Sequence, residues 1–294
     1  MVDNKVTKKD EKKLSKLSAE EEKRIVENLD ELTKDLPKDI HFAPFPKTRR
    51  KLQKITKKID SNKLLVTFLM LIFVAGLSIG LQYAFAYLGL WLFGREAMVS
   101  TVGTTVFSAV TYLVTLIIVL ALPGFIYKKW KTNRDQLGLN GLPTWTDIGL
   151  APIGFVVMLI LTSIVTAIFS FFPWFEADQT QNVGYSQFLD NTDKIIAFVA
   201  LVVVAPIVEE IIFRGWLYGK LRKKFIMPVA IFIVSLLFGI VHLQWNVGVN
   251  VFATSIVLCL LREVTGTVYS GILLHMLKNG VAFFLIYVLN IVAM

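Results

Sequence analysis

Three ionisable residues, Glu209, Glu210 and Arg214, stand inside an apolar run from Ile195 to Tyr218 that is long enough to cross a bilayer as a helix. A charged side chain near the bilayer centre costs at least about 2.5–3.5 kcal/mol on insertion scales, so ionisable groups in such a run point to function. Glu210 and Arg214 are four residues apart with the acid on the N-terminal side, the favourable order for an ion pair along one helix face. Glu209 is turned about 100° away from that pair. The spacing therefore predicts Glu210 and Arg214 as a structural pair and leaves Glu209 as the carboxylate for chemistry. One structural ion network of all three residues is the alternative.

Two histidines, a lysine and an amide also stand within apolar runs late in the chain. Phe238 and His242 share a helix face at a spacing of four, and so do His275 and Asn279, with Lys278 beside them. Glu209 is 13 residues from Arg222, His275 is 13 from Arg262 and His242 is 18 from Lys224. Along a helix axis these offsets are about 20, 20 and 27 Å, close enough in depth for one cluster given ordinary tilt. A histidine near a helix end is commonly just an interfacial group. Here, however, two of the chain's three histidines lie in the same membrane half as the unpaired acid. A carboxylate, two imidazoles and an amide could activate water and stabilise an oxyanion. Glu209, His242 and His275 could instead hold a zinc ion with water as fourth ligand, although neither HExxH nor a Cys/His zinc spacing is present.

The elements that must position these residues are membrane helices. Hydrophobic residues make up 55% of the chain, and apolar runs recur at Leu64 to Phe93, Thr101 to Tyr127, Ile148 to Phe172, Ile195 to Tyr218, Phe225 to Leu243, Val247 to Leu261 and Val268 to Ala293. This predicts an all-α, polytopic transmembrane bundle of about seven spans, within a range of six to eight. The sixth run is short and reads as a buried or partial span, and the seventh could break at Gly280. The first three runs carry almost nothing ionisable and read as scaffold and lipid-facing wall.

The net charge of +9 is a topology signal and not a nucleic-acid groove, because the basic residues gather before residue 64 and in short loops. With seven spans they all fall on one side, which places the N-terminus in the cytoplasm and the C-terminus outside. Residues 1–63 form a charged cytosolic segment, partly helical or disordered. It contains a loosely amphipathic stretch from Lys8 to Asp39, a break at Phe42 to Pro46 and an acid-free basic cluster from Lys47 to Lys58 suited to anionic lipid. The transmembrane domain is 64–294. The lone Cys259 excludes an intrachain disulfide and a thiolate metal cluster, and no signal peptide opens the chain.

Taken together, Glu209-Glu210-x-x-x-Arg214, Phe238-x-x-x-His242 and His275-x-x-x-Asn279 resemble the three motifs of the CPBP family of intramembrane proteases, which includes the CAAX prenyl endopeptidases and the bacterial Abi proteins. Arg262 with Thr265-Gly266 resembles the family pattern as well. The resemblance covers about 195–293. It implies a hydrolase in which Glu209 is general base on a water shared with His242, His275 and Asn279 form the oxyanion site, and Glu210, Arg214 and Phe238 support them. It implies metal-free proteolysis of a membrane-associated substrate: a prenylated C-terminus, a peptide pheromone or leader, or a bacteriocin against which the cell protects itself. Two other classes stand against this reading: a non-catalytic scaffold or immunity protein binding a membrane partner, and a transporter using Glu209 and the histidines as a proton relay. A scaffold has no need of buried charges, and a transporter would show matching polar positions in both halves, which the first three runs lack.

Overall fold

The computed structural model describes residues 61–126, 128, 131–176, 190–242 and 244–289. The amphipathic stretch, the Phe42 to Pro46 break and the lipid-binding cluster predicted before residue 61 lie outside the described residues. Among those described, the chain is all helix: α1 Ser61–Val99, α2 Thr101–Ile126, the single turn α3 Arg134–Leu137, α4 Trp145–Phe169, α5 Asn191–Leu221, α6 Met227–Ile240, α7 Trp245–Thr265 and α8 Tyr269–Val288. Five of these, α2, α4, α5, α7 and α8, are long and apolar enough to cross a membrane, and α6 is a shorter apolar helix. The first predicted run falls within α1, which kinks at Gly94, where φ is 76°. The protein is thus a polytopic helical bundle.

Two expectations about span length are corrected. The sixth apolar run is a full helix of 21 residues, α7, because the helix extends past the run at both ends, starting at Trp245 and ending at Thr265. The short helix is the fifth, α6, with 14 residues. In α8 the helix passes through Gly280 unbroken and changes to wider π-helical turns only at Phe284–Val288.

These helices pack closely against one another. Gly239 of α6 faces Gly248 of α7 so closely that a Cβ on Gly239 would lie 2.7 Å from the Gly248 carbonyl oxygen. Small residues at such crossings let two backbones approach where lipid offers no competing hydrophobic drive. Trp216, Leu217, Tyr218 and Leu221 of α5 pack with Ala230, Ile231 and Val234 of α6, and Ala151 and Met158 of α4 pack with Leu258 and Leu261 of α7 and Leu274 of α8. Thr166 of α4 donates to Asn250 Oδ1 of α7 at 2.8 Å.

Polar clamps set the register of these helices. α4 starts in a capping box, Thr144 with Asp147, which satisfies two otherwise unpaired N–H groups. The second oxygen of the buried Asp147 accepts from Thr267 at 2.8 Å and Ser270 at 2.7 Å. Asp147 therefore ties the start of α4 to the turn that launches α8. Arg262, near the end of α7, donates to the Gly266 carbonyl of its own helix cap and to Gln136 O in α3.

Candidate active site

α5 is not a uniform helix. Its ordinary α-helical turns at Ala205–Glu210 lie between π-helical turns at Val199–Val204 and Ile211–Tyr218. A π-turn adds one residue to the helical repeat, redirects the side chains after it and frees backbone carbonyls from the regular ladder; such turns gather at functional sites. Here the carbonyl of Leu201 accepts a hydrogen bond from Asn279 Nδ2 at 2.9 Å, which joins α5 to α8 one turn from His275.

Glu210 and Arg214 form the predicted pair, Arg214 Nη1 to Glu210 Oε1 at 2.9 Å, with both side chains fully buried. The spacing did not show that the same carboxylate oxygen also accepts from His275 Nδ1 of α8 at 2.9 Å. A carboxylate only accepts, so this contact fixes the proton on Nδ1 and turns Nε2 outward. Nε2 lies 3.8 Å from Glu209 Oε2. Gly271 makes the approach of α8 possible, since a Cβ there would come within 3.1 Å of Glu210 Oε2.

Phe238, buried at 1% exposure, is the apolar centre of the site. The Arg214 guanidinium lies over its ring at 4.3 Å from the centroid, a cation–π arrangement that stabilises a desolvated charge. The rings of His242 and His275 stand edge-on to it at 5.0 and 6.1 Å between centroids. His242 Nδ1 donates to the Phe238 carbonyl at 2.7 Å, which leaves its Nε2 free as well. Glu209, Lys278 and His275 are all within electrostatic reach of His242.

The site thus gathers residues from α5, from α6 with His242 in the turn that follows it, and from α8 around Glu209. Its side chain keeps 19% of its surface exposed, while Glu210 keeps none. The neighbouring acids accordingly differ in kind, one structural and one accessible. One partner was missed from the sequence: Tyr112 of α2 donates to Glu209 Oε1 at 3.1 Å. The second apolar run is therefore more than lipid-facing wall. The available signal was a tyrosine deep in an apolar run, whose hydroxyl needs a partner there.

An all-helical membrane bundle with a buried Glu210–Arg214 pair in α5 and a buried His275 in α8 is the frame in which a membrane-embedded enzyme can work. Residues 191–281 match the family model of the Type II CAAX prenyl endopeptidase Rce1-like proteins. The chain is also 27% identical over 224 residues to the protein named "Putative membrane peptidase YdiL" of Bacillus subtilis (strain 168), covering 74% of this chain and 84% of that protein. No solved structure matches. Both likenesses are to membrane peptidases, the class that the three motifs resemble, and the long apolar helices make the protein integral to the membrane.

Proposed function

We propose that this protein is a membrane-embedded endopeptidase that cleaves a membrane-associated peptide or protein by glutamate-activated water, with Glu209, His242, His275 and Asn279 as its catalytic residues. The observation that carries this reading is the 3.8 Å gap between Glu209 Oε2 and His275 Nε2. That gap is too wide for a direct hydrogen bond, but a water about 2.8 Å from each atom would bridge them from one side. Glu209 is the accessible acid of the pair and takes a proton from the water, with His242 Nε2 as its neighbour in the pocket. The water oxygen then bonds to the scissile carbonyl carbon, and the carbonyl oxygen takes up the negative charge.

Two donors are available to that oxygen. Asn279 uses one Nδ2 hydrogen on Leu201 O and keeps its second, because an amide nitrogen carries two. His275 holds its Nδ1 proton on Glu210 and donates from Nε2 once the ring is doubly protonated, which passage of the water-derived proton from Glu209 accomplishes. Collapse breaks the C–N bond, and the same proton leaves with the amine. Glu210, Arg214 and Phe238 hold the rings without touching the reacting atoms.

Glu209, His242 and His275 are also the donor set for zinc, and both rings tie up Nδ1 as metal-binding histidines commonly do. Among the described residues, however, no group of three His, Cys, Asp or Glu side chains converges as a metal site requires. We therefore route no step through a metal and expect cleavage to survive a chelator. Loss of activity restored by zinc would assign these three residues as ligands. The substrate classes we favour are a prenylated C-terminus, a peptide pheromone or leader, or a bacteriocin. We place the N-terminus in the cytoplasm, with Lys47 to Lys58 against anionic lipid.

In a test on purified protein in liposomes with candidate membrane peptides, Glu209→Gln should lose about 10²- to 10⁴-fold in cleavage rate while accumulating normally. Normal cleavage by that variant would overturn the assignment.

A further inference from the structure

We infer that Tyr112 is a positioning residue for the general base, so that the catalytic unit extends beyond the three motif-bearing helices to include α2. The inference rests on the proposed role of Glu209. Tyr112 lies outside 191–281, the part of the chain that matches the protease family model, and none of the motif spacings points to it.

The geometry gives the hydroxyl a specific task. A carboxylate has two oxygens, and a freely rotating glutamate in a hydrated pocket presents either of them. Tyr112 Oη donates to Oε1 at 3.1 Å, while Oε2 is the oxygen 3.8 Å from His275 Nε2. The phenol thus occupies one oxygen and leaves the other aimed at the position where water must sit. When Glu209 is protonated during turnover, the proton resides on Oε2, because Oε1 is already receiving one from Tyr112.

The phenol is itself held firmly. α2 runs parallel to α5 and touches it in order along its length: Thr101 Oγ1 donates to Asp193 Oδ2 at 2.9 Å, Tyr112 meets Glu209, and Val119 packs in the cluster of Leu217 and Leu221. The hydroxyl is therefore delivered from a helix fixed on both sides of it, which is what precise orientation of a reacting group requires.

Tyr112→Phe removes the hydroxyl and keeps the ring, so folding should be retained. Removing a hydrogen bond to a charged group typically costs enough to lower kcat about ten- to hundredfold. We expect that loss in kcat for a membrane peptide, with KM within twofold of the parent and an unchanged melting temperature in detergent. A second arm uses Glu209→Asp, whose shorter carboxylate should not reach the phenol. In that background, adding Tyr112→Phe should change kcat by less than twofold. The inference is overturned if Tyr112→Phe alone leaves kcat unchanged, if it raises KM instead, or if it lowers kcat by the same factor in both backgrounds. Glu209→Gln is run alongside. If that variant is inactive while Tyr112→Phe is fully active, only the positioning role fails; if it cleaves normally, the general-base reading fails and takes this inference with it.

Discussion

Helices α2 and α7 are both long enough to cross a membrane, yet they solve opposite problems. α2 is the more apolar and has only 6% of its apolar stretch buried in the protein; α7 is less apolar and has 56% buried. In a soluble protein the order would be reversed, because water drives the most apolar surface inward. In a bilayer the lipid solvates apolar side chains, so the interior is where polar residues find partners and small residues let backbones meet. α7 accordingly contributes Asn250, which accepts from Thr166, and Gly248 at the α6 crossing. α2 offers the lipid Val106, Leu113 and Ile117, all more than half exposed, and turns Tyr112 inward.

The contrast predicts how tolerance should be distributed. Arg214→Ala should have the largest effect on stability. It would leave the Glu210 carboxyl fully buried and without its cation, a loss of about 3–5 kcal/mol, read as a steep drop in melting temperature in detergent and in the amount of protein accumulated. An unchanged melting temperature would mean that the buried pair contributes little and that the interior is not polar by necessity. Gly271→Ala is intermediate. Its methyl group would press on Glu210 Oε2 at 3.1 Å, and overpacking of this kind typically costs about 1–3 kcal/mol. Because Glu210 holds His275, cleavage should fall with stability. Ile117→Ala, on the lipid face of α2 with the native side chain 56% exposed, should change stability by no more than about 0.5 kcal/mol. A large loss there would show that α2 faces protein along that side as well, and the comparison would have to be redrawn.

A difference within the site follows the same logic. Glu209 and Glu210 are adjacent in the chain and chemically identical, but the turn of the helix sends one into a sealed cluster and the other to a pocket edge. Glu210 meets a guanidinium and an imidazole at 2.9 Å each, while Glu209 meets a phenol at 3.1 Å and an imidazole only at 3.8 Å. Tight charge pairing suits a structural carboxylate, and looser contacts suit one proposed to take up a proton and release it.

The sequence by itself determined much of this. Apolar runs of bilayer length dictate helices, because a backbone in hydrocarbon must satisfy its own hydrogen bonds. The cost of charge in that medium singles out Glu209, Glu210 and Arg214, and helical spacing alone pairs Glu210 with Arg214 and sets Glu209 apart. Contacts between helices far apart in the chain were decided only by the tertiary structure, because no periodicity encodes which side chain meets which across a gap of 65 or 97 residues. That Glu210 orients His275, that Asn279 is held on a carbonyl freed by the π-turn around Leu201, and that the second helix supplies Tyr112 to the site all depend on how the helices cross. The same holds for span length: the sixth apolar run looked short by composition, and in the structure its helix extends past both ends of that run, from Trp245 to Thr265.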